Sequence, residues 1–203
     1  MTETMLLTYN TTQIVKDDSS EGRRLHFYDK NEQIPLVEEG IWQVYRGTAQ
    51  FSQLSVSGEE ILLGWAQQNA FFGLWLTRLD SYQAKALSEV YLKWYSLSEI
   101  ESSAQLTQIV LQQVIKRMRQ TEALLAIAGL KRVEERLQHL LELLKQEMGQ
   151  SIHEGTRLTV RLTHQNIANA IGTTRVTVTR LLGDFQKQGL ISLDNDRHLI
   201  IHH

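Results

Sequence analysis

The chain contains no cysteine. Disulfides, thiolate zinc sites, cysteine-ligated iron–sulfur clusters and cysteine nucleophiles are therefore excluded. No apolar run approaches the roughly 20 residues that a membrane-spanning helix needs, so no membrane partner is expected. Residues 1–18 lack the basic-then-apolar order of a secretory leader, and a cytoplasmic protein is expected. There is no internal repeat, P-loop, paired-carboxylate site or nucleophile with its base, so no enzymatic chemistry is expected. Among the seven histidines (His26, His139, His153, His164, His198, His202 and His203) only His198 and His202 stand four apart, along a stretch that reads as a strand rather than a helix. No metal site is expected from them. His202 and His203, at the chain end, are expected to lack fixed structure.

What is present fits an ordinary soluble chain: 203 residues, 42% apolar and 22% charged. That length accommodates one large domain or two small ones. The net charge of −2 hides an asymmetry. Residues 150–203 carry six Lys+Arg against four Asp+Glu, and the remainder holds the acidic excess. A basic tail of this size permits nucleic-acid binding without establishing it.

Up to about Trp94 the chain reads as short strands. Gly47 to Val56 alternates apolar and polar residues, Ser57-Gly58 offers a turn, and Ile61-Leu62-Leu63 resumes the apolar run, which is a hairpin signal. Val90 to Tyr95 reads as another strand. Short strands closed by turns suggest a barrel or roll. The aromatic cluster Trp65, Phe71, Phe72 and Trp75 reads as core rather than as a binding platform. Near Ser98 the period changes. Leu111, Val114, Met118, Thr121, Leu125 and Ala128 step alternately by three and four, bounded by Gly129. This is a heptad seam fit for a twin helix, or equally one face of a buried core helix. A second helix follows, with Val133, Leu137, Leu140, Leu141 and Leu144 on one side, ending near Gly149. Gln150 to Thr156 is polar and reads as a turn or hinge.

The stretch from Arg157 carries the most information. Leu158 to Leu162 alternates like a strand. Thr163 is a good N-cap for a helix over His164–Ala170, and Gly172 ends it. Thr173 or Thr174 caps a second helix running to about Gln188, with Gly189 after it. Two short helices separated by a glycine-containing turn are a helix-turn-helix. Leu190–Leu193 and His198–Ile201, joined by a polar tip, add a wing. With Val178, Leu181, Leu182 and Phe185 turned inward, the second helix presents Arg175, Val176, Thr177, Thr179, Arg180 and Lys187. Arginines in such a first turn can pair bidentately with guanine, and Val176 or the Thr177 methyl can meet a thymine methyl. Thr163, His164, Gln165 and Thr174 stand where helix starts hold phosphates.

Leu162-Thr-His-Gln-Asn-Ile-Ala-Asn-Ala-Ile-Gly-Thr-Thr-Arg-Val-Thr-Val-Thr-Arg-Leu-Leu-Gly-Asp184 resembles the DNA-binding signature of the Crp/Fnr family of bacterial regulators, within it most of all the cyanobacterial nitrogen regulators. Arg117-Met-Arg-Gln-Thr-Glu122 and Val133-Glu-Glu-Arg-Leu137 resemble the family's dimer helix and the helix after it. Gly47, Gly58 and Phe71-Phe72-Gly73 fall where its β-roll has turns and a phosphate cassette. The resemblance implies an α+β fold: a cyclic-nucleotide-binding-like β-roll over 1–97, a dimerisation helix over 98–128 and a winged helix-turn-helix over 129–203. It implies a homodimeric transcription factor on double-stranded DNA with RNA polymerase as a further partner. Its half-sites would be GTA…TAC, with Arg175, Val176 and Arg180 reading bases.

For the effector, the resemblance points to Phe72, Gly73, Leu74, Arg117 and Glu122. Cyclic AMP is not expected, because Leu74 stands where its binders carry a glutamate and Gln83-Ala84 where they carry Arg-Ser. The nitrogen regulators sense 2-oxoglutarate, and Arg117 and Glu122 match their dimer-helix residues. A purely structural alternative places Arg117 at heptad position g and Glu122 at e, where they would form interhelical salt bridges. A different reading of the whole chain is a winged-helix sensor or adaptor whose C-terminal domain docks a protein.

Overall fold

The computed structural model describes residues 14–15, 22–56 and 58–202. Ser57, His203 and most of the segment read for a leader lie outside them. Two antiparallel sheets make the N-terminal roll. One has the order β1 (Ile14–Val15), β2 (Leu25–Tyr28), β9 (Val90–Ser96), β4 (Gly40–Arg46), β7 (Phe71–Phe72). The other has the order β3 (Gln33–Ile34), β8 (Tyr82–Ala86), β5 (Ala49–Leu54), β6 (Glu60–Ala66). The alternating residues Val44, Ala49, Phe51, Phe72, Ala84 and Leu92 are all buried in one core. Alternation puts every second side chain inside, which is why these short strands could be read from sequence. The β5–β6 hairpin forms as expected. Its ladder slips after Phe51, which pairs with Gly64, while Ser52 pairs with Leu62. Leu63 is the extra residue of a β-bulge, held by the left-handed φ of 134° at Gly64.

The helical segment is divided where it was read as continuous from Ser98. α1 (Leu97–Ser102) stops at Ser103, whose side chain then caps α2 (Ala104–Ala128) by accepting from the Leu106 N–H. Ile100 and Val110 anchor these helices on the roll against Ile41, Phe71 and Tyr95. An Arg23–Glu99 ion pair ties the same corner. α3 (Val133–Met148) follows, with Leu137, Leu140 and Leu144 fully buried.

Two expectations are corrected beyond it. The polar stretch after Gly149 is a hairpin, not a hinge: β10 (Gly149–Ile152) pairs with β11 (Gly155–Leu158). The strand expected at Leu158–Leu162 ends at Leu158, and the alternation persists only because Val160 is buried in the loop that follows. Next come α4 (His164–Ile171), α5 (Arg175–Lys187), β12 (Ile191–Leu193) and β13 (Leu199–His202). The sheet order β10-β11-β13-β12 backs the helix pair. His202 is ordered in β13, with its ring bonded to the Glu154 carbonyl and the Ser192 hydroxyl, contrary to expectation. One cluster joins α3, α4, α5 and the wing, and Trp65 and Leu87 of the roll belong to it.

Candidate nucleic-acid interface

The helix pair is fixed by local chemistry before packing acts on it. Thr163 and Asn166 form a reciprocal capping box at the start of α4. Gly172 takes a left-handed φ of 59° to end it. Thr174 caps α5 by accepting from the Thr177 N–H. Ala168, fully buried, lets α4 and α5 approach, and Val178, Leu181, Leu182 and Phe185 seal the contact. What remains outward on α5 is Arg175, Val176, Thr179, Arg180 and Lys187, all exposed, with Thr177 half-buried. Val176 is 78% exposed, an apolar side chain left in water with nothing to cover it in the protomer. Asp184 holds both Arg180 (3.4 Å) and Lys187 (3.8 Å) in the free protein.

The DNA-reading residues expected from sequence therefore lie on one face, and those at the start of α4 adjoin it. His164 Nδ1 lies 2.7 Å from the Thr179 hydroxyl, which ties the two helices together. Gln165 is exposed and turns to Asn169 Oδ1 at 2.7 Å. Beside them runs a cleft of about 920 Å³ between α4, α5 and the wing, whose lining includes Arg161, His164, Arg175 and Arg197. Arg161 and Arg197 were not singled out in the sequence. Arg197 sits in the wing turn with a left-handed φ of 61°. The wing tip itself is clamped: Arg157 donates to Asp194 Oδ2 (2.5 Å) and to His198 Nδ1 (2.6 Å). Arginine can only donate, so His198 Nδ1 is the acceptor there. Desolvation pushes the Asp194 carboxyl up, but the bonds from Arg157 and the His198 N–H outweigh it and hold the group below its ordinary value.

The residues expected to meet an effector are only partly brought together. The Phe72 ring packs 5.0 Å from Phe51, and the Arg117 guanidinium lies 4.7 Å over that same Phe51 ring. Gly73 lies against Ile41 and the Gly40 carbonyl, and Leu74 opens a single 3₁₀ turn beside it. Glu122 is exposed and is not part of this group. The interhelical placement expected for Arg117 is corrected too. Its side chain turns into its own protomer, where it bonds Gln120 Oε1 (2.5 Å) and the Leu63 carbonyl (2.9 Å). The cause is the bulge: Leu63, out of register with β5, has a carbonyl to offer. Burial lowers the Arg117 pKa, while Tyr82 and Glu147 oppose the shift. Burial likewise raises Tyr82, against the Arg117 charge. Of the aromatic cluster, Trp65, Phe71 and Phe72 are core, whereas Trp75 is half-exposed in the turn after the cassette.

A Crp-like helix-turn-helix domain model matches residues 135–203. The chain is 32% identical over 164 residues to the global nitrogen regulator of Synechocystis sp., covering 76% of this chain and 73% of the relative. It is 34% identical over 171 residues to the regulatory protein CysR of Synechococcus elongatus, covering 83% and 79%. The chain belongs to the Crp/Fnr family of DNA-binding transcription regulators. Its fold agrees: a CRP-family transcriptional regulator of Thermus thermophilus superposes with a TM-score of 0.73 at 21% identity, over 87% of this chain and 91% of that one. A cyclic nucleotide-binding domain containing protein of Listeria monocytogenes gives 0.75 at 17%, over 87% and 88%.

In this Crp/Fnr chain the heptad seam lies bare on the protomer. Leu111, Val114, Met118 and Leu125 are exposed, Leu125 by 71%, and Thr121 and Ala128 are exposed beside them. No helix among the described residues is long and apolar enough to cross a membrane.

Proposed function

We propose that this Crp/Fnr regulator is a cytoplasmic homodimer, paired through Leu111, Val114, Met118, Thr121, Leu125 and Ala128, that reads a palindromic site with α5. The sequence divides it into a roll over 1–97, a dimer helix over 98–128 and a DNA-binding domain over 129–203. Arg175, Val176 and Arg180 contact base edges; Thr163, His164, Gln165, Thr174, Thr177, Thr179 and Lys187 position the phosphate backbone. The observation that carries this reading is the exposed Arg175–Val176–Thr179–Arg180 face, held outward by the fully packed residues behind it. Paired recognition helices enter successive major grooves about 34 Å apart. RNA polymerase is the further partner this reading implies, and the relatives' names, a nitrogen regulator and CysR, support a role in nutrient control.

Effector control is assigned to the junction of Phe72, Gly73, Leu74 and Arg117, with Glu122 exposed farther along α2. 2-Oxoglutarate is the ligand the resemblance favours. It would have to draw Arg117 away from Leu63 and Gln120. Cyclic AMP has no acceptor at Leu74 for a ribose hydroxyl, and Gln83 and buried Ala84 of β8 offer its phosphate no cation. Fluorescence anisotropy on a GTA…TAC palindrome and a scrambled duplex, each with and without 2-oxoglutarate, tests both parts. Selective binding supports the regulator reading, and tightening by the acid supports Arg117 as its ligand. Selective binding indifferent to the acid leaves Arg117 as a structural link between helix and roll. No affinity even at low salt favours a protein-docking winged helix instead.

A further inference from the structure

The cleft between α4, α5 and the wing combines charge with a hydrogen-bond arrangement that fixes a proton. The Thr179 hydroxyl has one hydrogen and donates it to the Arg175 carbonyl at 2.9 Å. Toward His164 Nδ1, 2.7 Å away, that oxygen can then only accept. Nδ1 must therefore carry a hydrogen, and in a neutral imidazole Nε2 is left as a bare lone pair. A bare nitrogen cannot donate to a phosphate oxygen.

Around the ring the charged groups are of one sign. Arg161 precedes α4, Arg175 stands on α5 and Arg197 stands on the wing, all exposed, and no carboxylate is among the residues that line the cleft. Guanidiniums on three elements attract an anion to the cleft. A phosphate seated there gives His164 Nε2 an acceptor of opposite charge.

We propose that this cleft seats a backbone phosphate of the bound DNA between Arg161 and Arg197, with Arg175 left to the base edges, and that His164 takes up one proton at Nε2 to bond it. The inference rests on the DNA-binding reading and adds a proton to the binding equilibrium. Histidine is the side chain whose ordinary titration, near pH 6.5, makes such a link effective at physiological pH.

The test is DNA affinity measured from pH 6.0 to 8.5 at constant ionic strength on the full-length protein, with a cognate duplex. The expected result is tightening by up to about tenfold per protomer for each pH unit lowered, the limit for uptake of one proton. Calorimetric titrations in two buffers of different ionisation enthalpy should report up to about one proton taken up per protomer. His164→Gln keeps a neutral donor at the same reach and should flatten the profile while binding persists. A second variant, Thr179→Val, removes the fixed acceptor, so that a neutral ring can present Nε2–H; its pH slope should shrink as well. A flat wild-type profile with selective binding intact overturns the proton link and leaves the DNA reading standing. A slope that survives in His164→Gln also overturns it. Absence of DNA binding at every pH overturns both.

Discussion

To take the base-reading role proposed for it, Arg180 must leave Asp184. An exposed i, i+4 pair costs little to break, on the order of 0.3–0.5 kcal/mol. Arg180→Ala is expected to weaken the cognate site by roughly 1–3 kcal/mol and to relax base preference at one position of each half-site. Selection of binding sites from a random library measures this, and an unchanged preference would remove Arg180 from the readout. Gly64 is the second residue on which much depends. It has a left-handed φ, and a Cβ there would collide with Arg117 Nη1 and Gln120 Oε1. Gly64→Val should lower stability by about 1–3 kcal/mol in urea denaturation. At this scale the α5 face was legible in the sequence, because a helix of known phase exposes known residues. Arg161 and Arg197 were not: Arg161 lies just before α4 outside the helix pattern, and only the approach of the wing to α4 brings Arg197 to the same cleft. The inward turn of Arg117 was hidden for a similar reason. Heptad phase sets the direction of a side chain only approximately, and a bulge carbonyl 54 residues away captured it.

Elements with strong local signals were readable, and those completed by distant partners were not. The α5 boundaries follow from Thr174 and the apolar spacing behind it. β10 escaped notice because Gly149–Ile152 has no buried residue and its only pairing is with β11, so no alternation marks it. The seam on α2 was legible as a pattern, and its exposure in the protomer calls for a covering partner. Replacing Leu111 and Leu125 together by Asp should leave the protomer folded, since both side chains are already in water. It should shift sedimentation from dimer to monomer and remove tight binding to the palindrome. The wing makes a separate prediction. Asp194 is held below its ordinary value, so its bonds support the wing at pH values above the unfolded value, near 4. That support is lost as the pH falls through the lower folded value. Protection of the His198 and Arg197 amides from hydrogen exchange, measured relative to the intrinsic rate at each pH, should fall on acidification from pH 5 to 3, and Asp194→Asn should abolish the change.

A small set of side chains joins the roll to the DNA-binding half. Asn169 Nδ2 donates to Glu60 Oε2 at 3.0 Å and Asn166 reaches Gln50 Oε1 at 3.4 Å, while Gln120, which accepts from the Trp65 N–H of β6, passes the link on through Nε2 to Glu147 Oε2 at 2.8 Å. Asn169→Asp would set two carboxylates against each other at the first of these. The DNA-binding half should then swing more freely, seen as a larger radius of gyration in solution scattering with unchanged helix content. An unchanged radius would show that the shared apolar cluster suffices to hold it.

β6 takes part in both relations at once. Glu60 at its start receives α4, Leu63 in its bulge receives Arg117, and the Trp65 N–H donates to Gln120 at 2.9 Å. Three of its seven residues thus tie this strand both to α4 and to α2. A lineage that acquires a new ligand by altering this strand also alters how its reading heads are carried. Changes of ligand in such a protein should therefore arrive with compensating substitutions in α4, and a library that varies β6 alone should yield mostly variants with disturbed DNA affinity.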